Sequence, residues 1–373
     1  MRVGISALAA SNSPGHRQSG VHRYAVELIR HLTPELGDHR AVVYAVDGAL
    51  PYLETDEVAI RSSRWPIDHP AMRLPWEHLV LPMMARRDKI DLFHGLAFAR
   101  PRLLSRTTVV TIHDLAFLRW PEQVPGRRSA YLSRAVRDAA GHARRLIAVS
   151  EHTKQDIVEL MGIDPGRVDV TPLGVNPAFT KSSEEQIRRF REAQGLPNPF
   201  ILAVGNLEPR KNLESLVTAF EAIASSIPHE LVLLGADGWK TDPLFSAIAS
   251  SPVTARIRLA GFVVPGLLPD WYSACDVFVL PSRYEGFGLS LLEAMACGAP
   301  SIAGNVAAIP EVAGDAAVLV EPEAEPLGEA IVAVIHNNQL KLDLSQRGRT
   351  RAAQFRWEET ARLTVETYEK AMQ

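Results

Sequence analysis

Glu285 and Glu293 bracket the stretch Glu285-Gly-Phe-Gly-Leu-Ser-Leu-Leu-Glu293, directly after the apolar run Asp276-Val-Phe-Val-Leu280. The pattern predicts a buried parallel strand, a loop with two glycines, and a helix with a carboxylate in its first turn. Glycines let backbone N–H groups approach a ligand's oxygens, a helix N-terminus favours a phosphate, and ionised carboxylates accept strong hydrogen bonds from hydroxyls. Together these suit a ligand with both phosphates and sugar hydroxyls, such as a sugar nucleotide. Two roles are open for Glu293. Ser290-Leu-Leu-Glu293 also fits a capping box, in which the Glu reaches back to the cap residue. Glu285, at the end of a strand, has no capping duty.

Three other clusters could carry chemistry. Gly205-Asn-Leu-Glu-Pro-Arg-Lys-Asn212 also lies between a strand and a helix. Its Arg210 and Lys211 offer a planar fork and a point charge, a pairing that suits a diphosphate leaving group, unless they are an ordinary surface pair. Val109-Val-Thr-Ile-His113-Asp114 places His113 at the end of an apolar strand, where functional groups of open α/β sheets collect. His94, in Phe93-His-Gly95, ends the neighbouring strand as a weaker candidate. Ser19-Gly20-Val-His-Arg-Tyr24 puts Gly20 at a loop-to-helix junction, compatible with an anion or a sugar hydroxyl. The chain contains no Gly-x-Gly-x-x-Gly, no phosphate loop of the Walker type, and no His-Glu-x-x-His or Gly-x-Ser-x-Gly. It also lacks Asp-x-Asp, the usual metal holder of sugar-nucleotide enzymes.

Alternating strands and helices must position these groups. In the first half, strands are predicted at Val3–Ser6, Ala41–Ala45, Leu92–Phe93, Thr108–Ile112, Leu146–Val149 and Val168–Val170. Helices fall near Val21–His31, Pro75–Arg86, Ser129–Ala140 and Glu151–Met161. In the second half, strands are predicted at Phe200–Val204, Leu231–Leu234, Ile257–Ala260, Val277–Leu280 and Ser301–Ala303, with Asn212 capping a helix. Such alternation implies parallel sheets with right-handed crossovers. The expected fold is therefore α/β, two facing Rossmann-like domains with a cleft between them, the usual place for a ligand. The turn-rich link Thr171–Pro177 separates residues 1–172 from residues 173–356, and residues 357–373 form a closing polar helix, which could pack back on the first domain.

At 373 residues the chain is long for a single core, which supports two domains. Its net charge of -3 argues against general polyanion or nucleic-acid binding. The charge is uneven: residues 1–180 carry 23 Lys and Arg against 19 Asp and Glu, and the remainder 17 against 24. Arg127, Arg128, Arg134, Arg137, Arg144 and Arg145 form a basic cluster, either a solvated helix face or a patch for an anionic lipid or acceptor. The two cysteines, Cys275 and Cys297, sit in apolar contexts without zinc spacing, as expected in a reducing compartment. The N-terminus predicts a strand rather than a signal peptide, and no apolar run reaches the ~18 residues of a membrane span. A cytoplasmic protein follows, with peripheral contact at the inner face of the membrane as an option.

Taken together, Gly20–Tyr24, Thr111–Leu115, Ala148–Thr153, Gly205–Asn212 and Pro281–Glu293 resemble, in family order, the retaining glycosyltransferases of GT-B architecture. The closest branch is family four (group 1), mannosyltransferase-like members in particular. The resemblance implies that Glu285 contacts donor-sugar hydroxyls and that Glu293 binds the ribose, which favours binding over capping. It implies that Gly286, Phe287, Gly288 and Leu289 meet the donor through the backbone, that Lys211 and Arg210 hold the diphosphate, and that His113 lies near the reacting carbon. Val263, with Phe262, matches the segment beside the nucleobase. Asn206 stands where many relatives carry Arg. The lysine loop typical of glycogen and starch synthases is missing before Gly20, which argues against glucan elongation.

The implied activity is retaining, metal-independent transfer of a hexose, mannose first, to a glycan, lipid-linked or small-molecule acceptor in cell-envelope polysaccharide biosynthesis. GDP-mannose is the first expectation for donor and a UDP-sugar the second, with no further cofactor. Front-face attack is expected, the departing phosphate taking the acceptor proton while His113 positions the sugar and eases charge. An epimerase or hydrolase on the same scaffold, or a non-catalytic sugar-nucleotide-binding subunit, are the alternatives from other classes. The acceptor loops, Ala7–Ser19 and Tyr52–Pro75, carry no readable code.

Overall fold

The computed structural model describes residues 1–8, 20–48, 50–63, 65, 67 and 70–373. It divides into two compact units, Met1–Gly174 with Arg356–Gln373, and Val175–Phe355.

In the first unit the described strands are β1 (Arg2–Ser6), β2 (Arg40–Val46), β3 (Val58–Ser63), β4 (Leu92–Gly95), β5 (Thr107–Ile112), β6 (Arg145–Ala148) and β7 (Val168–Val170). They pair in parallel in the order β3-β2-β1-β4-β5-β6-β7. The order reverses direction between β1 and β4, and a crevice opens beyond the strand ends at such a switch point. The central strands β4 and β5 are buried almost throughout, as parallel strands covered by helices must be, with His94 and Thr111 among their buried residues. The closing helix, Trp357–Met372, packs on the first helix, Gly20–Glu35, within this unit.

The second unit repeats the plan with β8 (Phe200–Val204), β9 (Glu230–Leu234), β10 (Ile257–Gly261), β11 (Val277–Leu280), β12 (Ser301–Gly304) and β13 (Val318–Val320). The order is β10-β9-β8-β11-β12-β13, with its switch point between β8 and β11. One core runs from β8 and β9 to the helices Leu213–Ile223 and Ala324–His336. No helix among the described residues is long and apolar enough to cross a membrane.

Some predicted elements change. The stretch Tyr52–Pro75 is not simply loop: its described part contains β3 and the start of a helix at Pro70. β3 and β13 are not among the predicted strands: the apolar stretches within them, Val58-Ala-Ile60 and Val318-Leu-Val320, are each only three residues long, too short for periodicity to mark a strand. The helix expected at Pro75–Arg86 spans Pro70–Arg87 and contains a π-helical turn, Trp76–Val80. Pro75 and Pro82 lack the N–H that a regular ladder needs. Of the loop Ala7–Ser19, residues 9–19 lie outside the described residues, as do residues 64, 66, 68 and 69 of the stretch Tyr52–Pro75.

Candidate functional site

At the end of β8 the chain runs through Gly205 and Asn206 into a short turn, Pro209–Lys211. At the end of neighbouring β11 it enters Pro281–Gly288. The two loops are tied together: Arg283 N–H donates to the Arg210 carbonyl at 2.9 Å, and the Asn212 amide donates to the Pro281 and Pro322 carbonyls. Asn212 makes no side-chain capping bond to the following helix: it adopts a left-handed conformation (φ 55°), and its Oδ1, the atom a cap would use, accepts instead from Ser215 Oγ at 2.8 Å.

This tie brings Arg210, Lys211 and Glu285 into one buried ion network. Lys211 Nζ donates to Glu285 Oε1 at 2.5 Å, Ser282 Oγ to the same oxygen at 2.7 Å, and Arg210 Nη1 to Oε2 at 2.9 Å. Arg210 also pairs with Glu208 at 3.1 Å. Burial by itself would raise the Glu285 pKa. The charges of Lys211 and Arg210 and the hydrogen bonds from Lys211 and Ser282 outweigh it and hold the carboxyl at about 2. Burial lowers the Lys211 ammonium below its ordinary value and Arg210 adds to that, while Glu285 opposes it. Glu285 thus neutralises two cations and holds them together at the switch point of the sheet.

Gly286, Phe287 and Gly288 are buried behind it, with the Phe287 ring edge-on to Phe355. Gly288 has φ 98°, a left-handed conformation that strains any side chain, and a Cβ there would also lie 2.7 Å from Ile309 Cδ1. The helix starts at Leu289 with Gly288 as its cap residue. Ser290 is thus inside the helix and Glu293 lies beyond the first turn, which removes the capping box. Glu293 is 2% exposed and accepts a hydrogen bond from Tyr272 Oη at 3.2 Å. Val263 follows edge strand β10, two strands from β8 along the same sheet end. Asn206 is half-buried in the continuation of β8.

In the first unit His113 stands one residue past β5. Its Nε2 donates to the Leu96 carbonyl at 2.8 Å, which leaves Nδ1 as the acceptor of the neutral ring. The ring packs edge-on against Tyr24 and Phe98. Burial pushes its pKa down to about 4, only partly opposed by the bond to Leu96. At neutral pH the ring is therefore neutral and offers hydrogen bonding rather than a formal positive charge. His94 is inside β4 rather than at its end. It is fully buried between Tyr368 Oη at 2.7 Å and Thr111 Oγ1 at 2.8 Å, with Tyr24 Oη completing the chain on Thr111 at 2.9 Å. Both ring nitrogens are used, so His94 is a structural bolt between two strands and two helices. Gly20 begins the first helix, and no described residue comes within 4 Å of a Cβ placed there.

These two histidines make a testable prediction. Both pKa values are depressed, chiefly by burial, to about 3 and about 4. Their contribution to stability is complete above the ordinary value of 6.5 and is lost as pH falls from there toward the folded values. The first unit should lose about 2.5 kcal/mol between about pH 7 and about pH 5.5. Urea midpoints measured at the two pH values check this, and equal midpoints would contradict it.

Several members of the site carried no readable signal of their own. Ser282, Glu208 and Tyr272 hold Glu285, Arg210 and Glu293 respectively. Ser282 and Glu208 stand within three residues of their partners and could have been found by proximity. Tyr368, the partner of His94 in the first unit, lies 274 positions away from it, and no local pattern announces that pairing.

The basic cluster divides. Arg127, Arg128, Arg134 and Arg137 are exposed on the helix Gly126–His142, and Arg144 is exposed beyond it. Arg145 turns instead to Asp169, with Nε to Oδ2 at 2.5 Å, and belongs to the β6–β7 edge.

Two parallel α/β units with matching strand order define the GT-B architecture. Comparison with known proteins agrees. The family model "Glycosyl transferases group 1" matches residues 184–351, and "Glycosyltransferase Family 4" matches residues 18–179. The chain is 31% identical over 289 residues to O-antigen chain mannosyltransferase B of Escherichia coli, covering 76% of each chain. It is 28% identical over 276 residues to the serotype-specific mannosyltransferase WbdA of Escherichia coli, covering 71% of this chain but only 34% of that longer protein. HepE from Anabaena, solved in complex with UDP-glucose, superposes with a TM-score of 0.79 at 21% identity, over 99% of this chain and 100% of the other. The chain belongs to the group 1, family 4 glycosyltransferases.

Proposed function

We propose that the protein transfers a hexose, with retention of configuration and without a metal ion, from a nucleotide-diphosphate sugar to a glycan or lipid-linked acceptor. The observation that carries this reading is the Arg210–Lys211–Glu285 network at the β8–β11 switch point. Two fixed cations there can stabilise the charge that grows on a departing diphosphate, the task a divalent ion performs elsewhere. Glu285 is a poor candidate for a nucleophile beneath the sugar, because both its oxygens are already bonded and its basicity is low. That favours front-face attack, with the leaving phosphate accepting the proton of the acceptor hydroxyl. In this reading Glu293 binds the ribose, the Gly286–Leu289 loop meets the donor through its backbone, and Val263 borders the base. His113 accepts a sugar hydroxyl at Nδ1.

Mannose is the first choice of sugar, with GDP-mannose as donor, because relatives named as mannosyltransferases match most of the chain. A UDP-sugar is the second, supported by the likeness to a fold that holds UDP-glucose. The O-antigen chain named for one relative supports a cell-envelope glycan as acceptor, which would be met at the inner face of the cytoplasmic membrane.

Calorimetric titration of a panel of nucleotides and sugar nucleotides, with and without EDTA, tests the donor site. One nucleotide should bind equally with and without EDTA, and Glu293→Ala should weaken it by about 2 kcal/mol or more, the size of a lost charged hydrogen bond. Absence of binding by every member of the panel would overturn the reading. Donor consumption at the same rate without an acceptor would point to a hydrolase instead.

A further inference from the structure

The helical segment Pro70–Arg87 is apolar on both sides. Its inner face, with Trp76, Leu81 and Ala85, is part of the core. On its outer face Leu79 is 55% and Met83 60% exposed, one turn apart, with Met72 exposed two turns earlier. A solvated helix carries polar residues there. Beside it, Leu103 is 58% exposed and Tyr131 is exposed as well. The segments are neighbours: Arg102 N–H donates to His78 Nδ1 at 3.3 Å, and Arg100 pairs with Asp138 of the helix Gly126–His142 at 3.1 Å.

The charges of this surface have one sign. Residues 70–87, 96–106 and 126–142 contain ten arginines and two acidic residues. Both acids are withdrawn from it, Glu77 by burial and Asp138 by its arginine partners. Arg86, Arg87, Arg102, Arg127 and Arg134 are exposed around the apolar ridge. Apolar side chains ringed by cations fit a surface that is hydrocarbon below and anionic above.

We propose that this face of the first unit docks on an anionic bilayer, with Leu79, Met83 and Leu103 entering the headgroup–acyl boundary and the arginines contacting lipid phosphates. The inference deepens the reading of a lipid-linked acceptor, but vesicle binding can be measured without any transfer reaction. It also moves the membrane contact from the arginine helix alone to the apolar ridge beside it.

Flotation with vesicles of phosphatidylcholine, and of equal parts phosphatidylcholine and phosphatidylglycerol, provides the test. The wild type should float with the anionic vesicles only. Leu79→Ser/Met83→Ser should bind them about ten-fold more weakly, the loss expected for two apolar anchors, and Arg86→Ser/Arg87→Ser should reduce the salt dependence. Both variants should keep the wild-type melting temperature and nucleotide affinity. Failure of the wild type to float, or flotation unchanged in both variants, overturns the proposal. A concentration-dependent dimer that Leu79→Ser/Met83→Ser disperses would also overturn it, assigning the face to a second copy of the chain. Vesicle binding without nucleotide binding would leave the docking face standing and sink the transferase reading.

Discussion

Lys211→Ala is expected to lower kcat/KM about 10³-fold, with most of the loss in kcat. The ammonium is buried and held by Glu285 at 2.5 Å, so in the proposed reaction it would be in place before the leaving group develops its charge. A charge positioned in advance contributes more to the transition state than to ground-state binding. Donor affinity, measured by calorimetry, should therefore fall far less than turnover. Lys211→Arg should not restore the rate, because a planar fork does not reproduce a compact point charge in a space shaped for one. Turnover within about ten-fold of wild type would remove Lys211 from the leaving-group site.

Glu285→Gln is expected to damage stability as well as turnover. It removes the shared partner of Arg210 and Lys211 and leaves buried positive charge uncompensated, at a cost of about 3 kcal/mol. Turnover should fall about 10²-fold or more because the two cations lose their aim. The sign of the pH dependence follows from the depressed carboxyl. The stability it contributes is present above the ordinary value of 4.5 and is lost as pH falls toward about 2. The variant should thus lie closest to the wild type in acid. A double variant, Glu285→Gln/Lys211→Met, should be more stable than the sum of the single changes predicts, since the second removes a charge stranded by the first. Strict additivity in thermal melts would contradict the network.

Much of this arrangement is legible in the sequence. Val277–Leu280 and Phe200–Val204 coincide with observed strands because central parallel strands, buried on both faces, must be continuous apolar runs. Arg210, Lys211 and Glu285 stand where such strands end, and loops at strand ends carry function in this class of fold. The strands β3 and β13 were not legible, because their apolar stretches, Val58-Ala-Ile60 and Val318-Leu-Val320, are too short to carry a periodicity.

Residue types, the alternation of elements and the position of each candidate group at a strand end were all written in the chain, since they depend on local periodicity and spacing. The pairings were not; they came from the three-dimensional fold. It joined Glu285 to two cations 74 and 75 positions away. It consumed His94 between Tyr368 and Thr111 while leaving His113 an open acceptor nitrogen. It took Asn212 and Glu293 out of the capping roles their spacing suggested. One cause is common to all of them: a buried polar group must find its partner wherever the fold brings one near, and that distance is set by the crossing of elements rather than by separation along the chain.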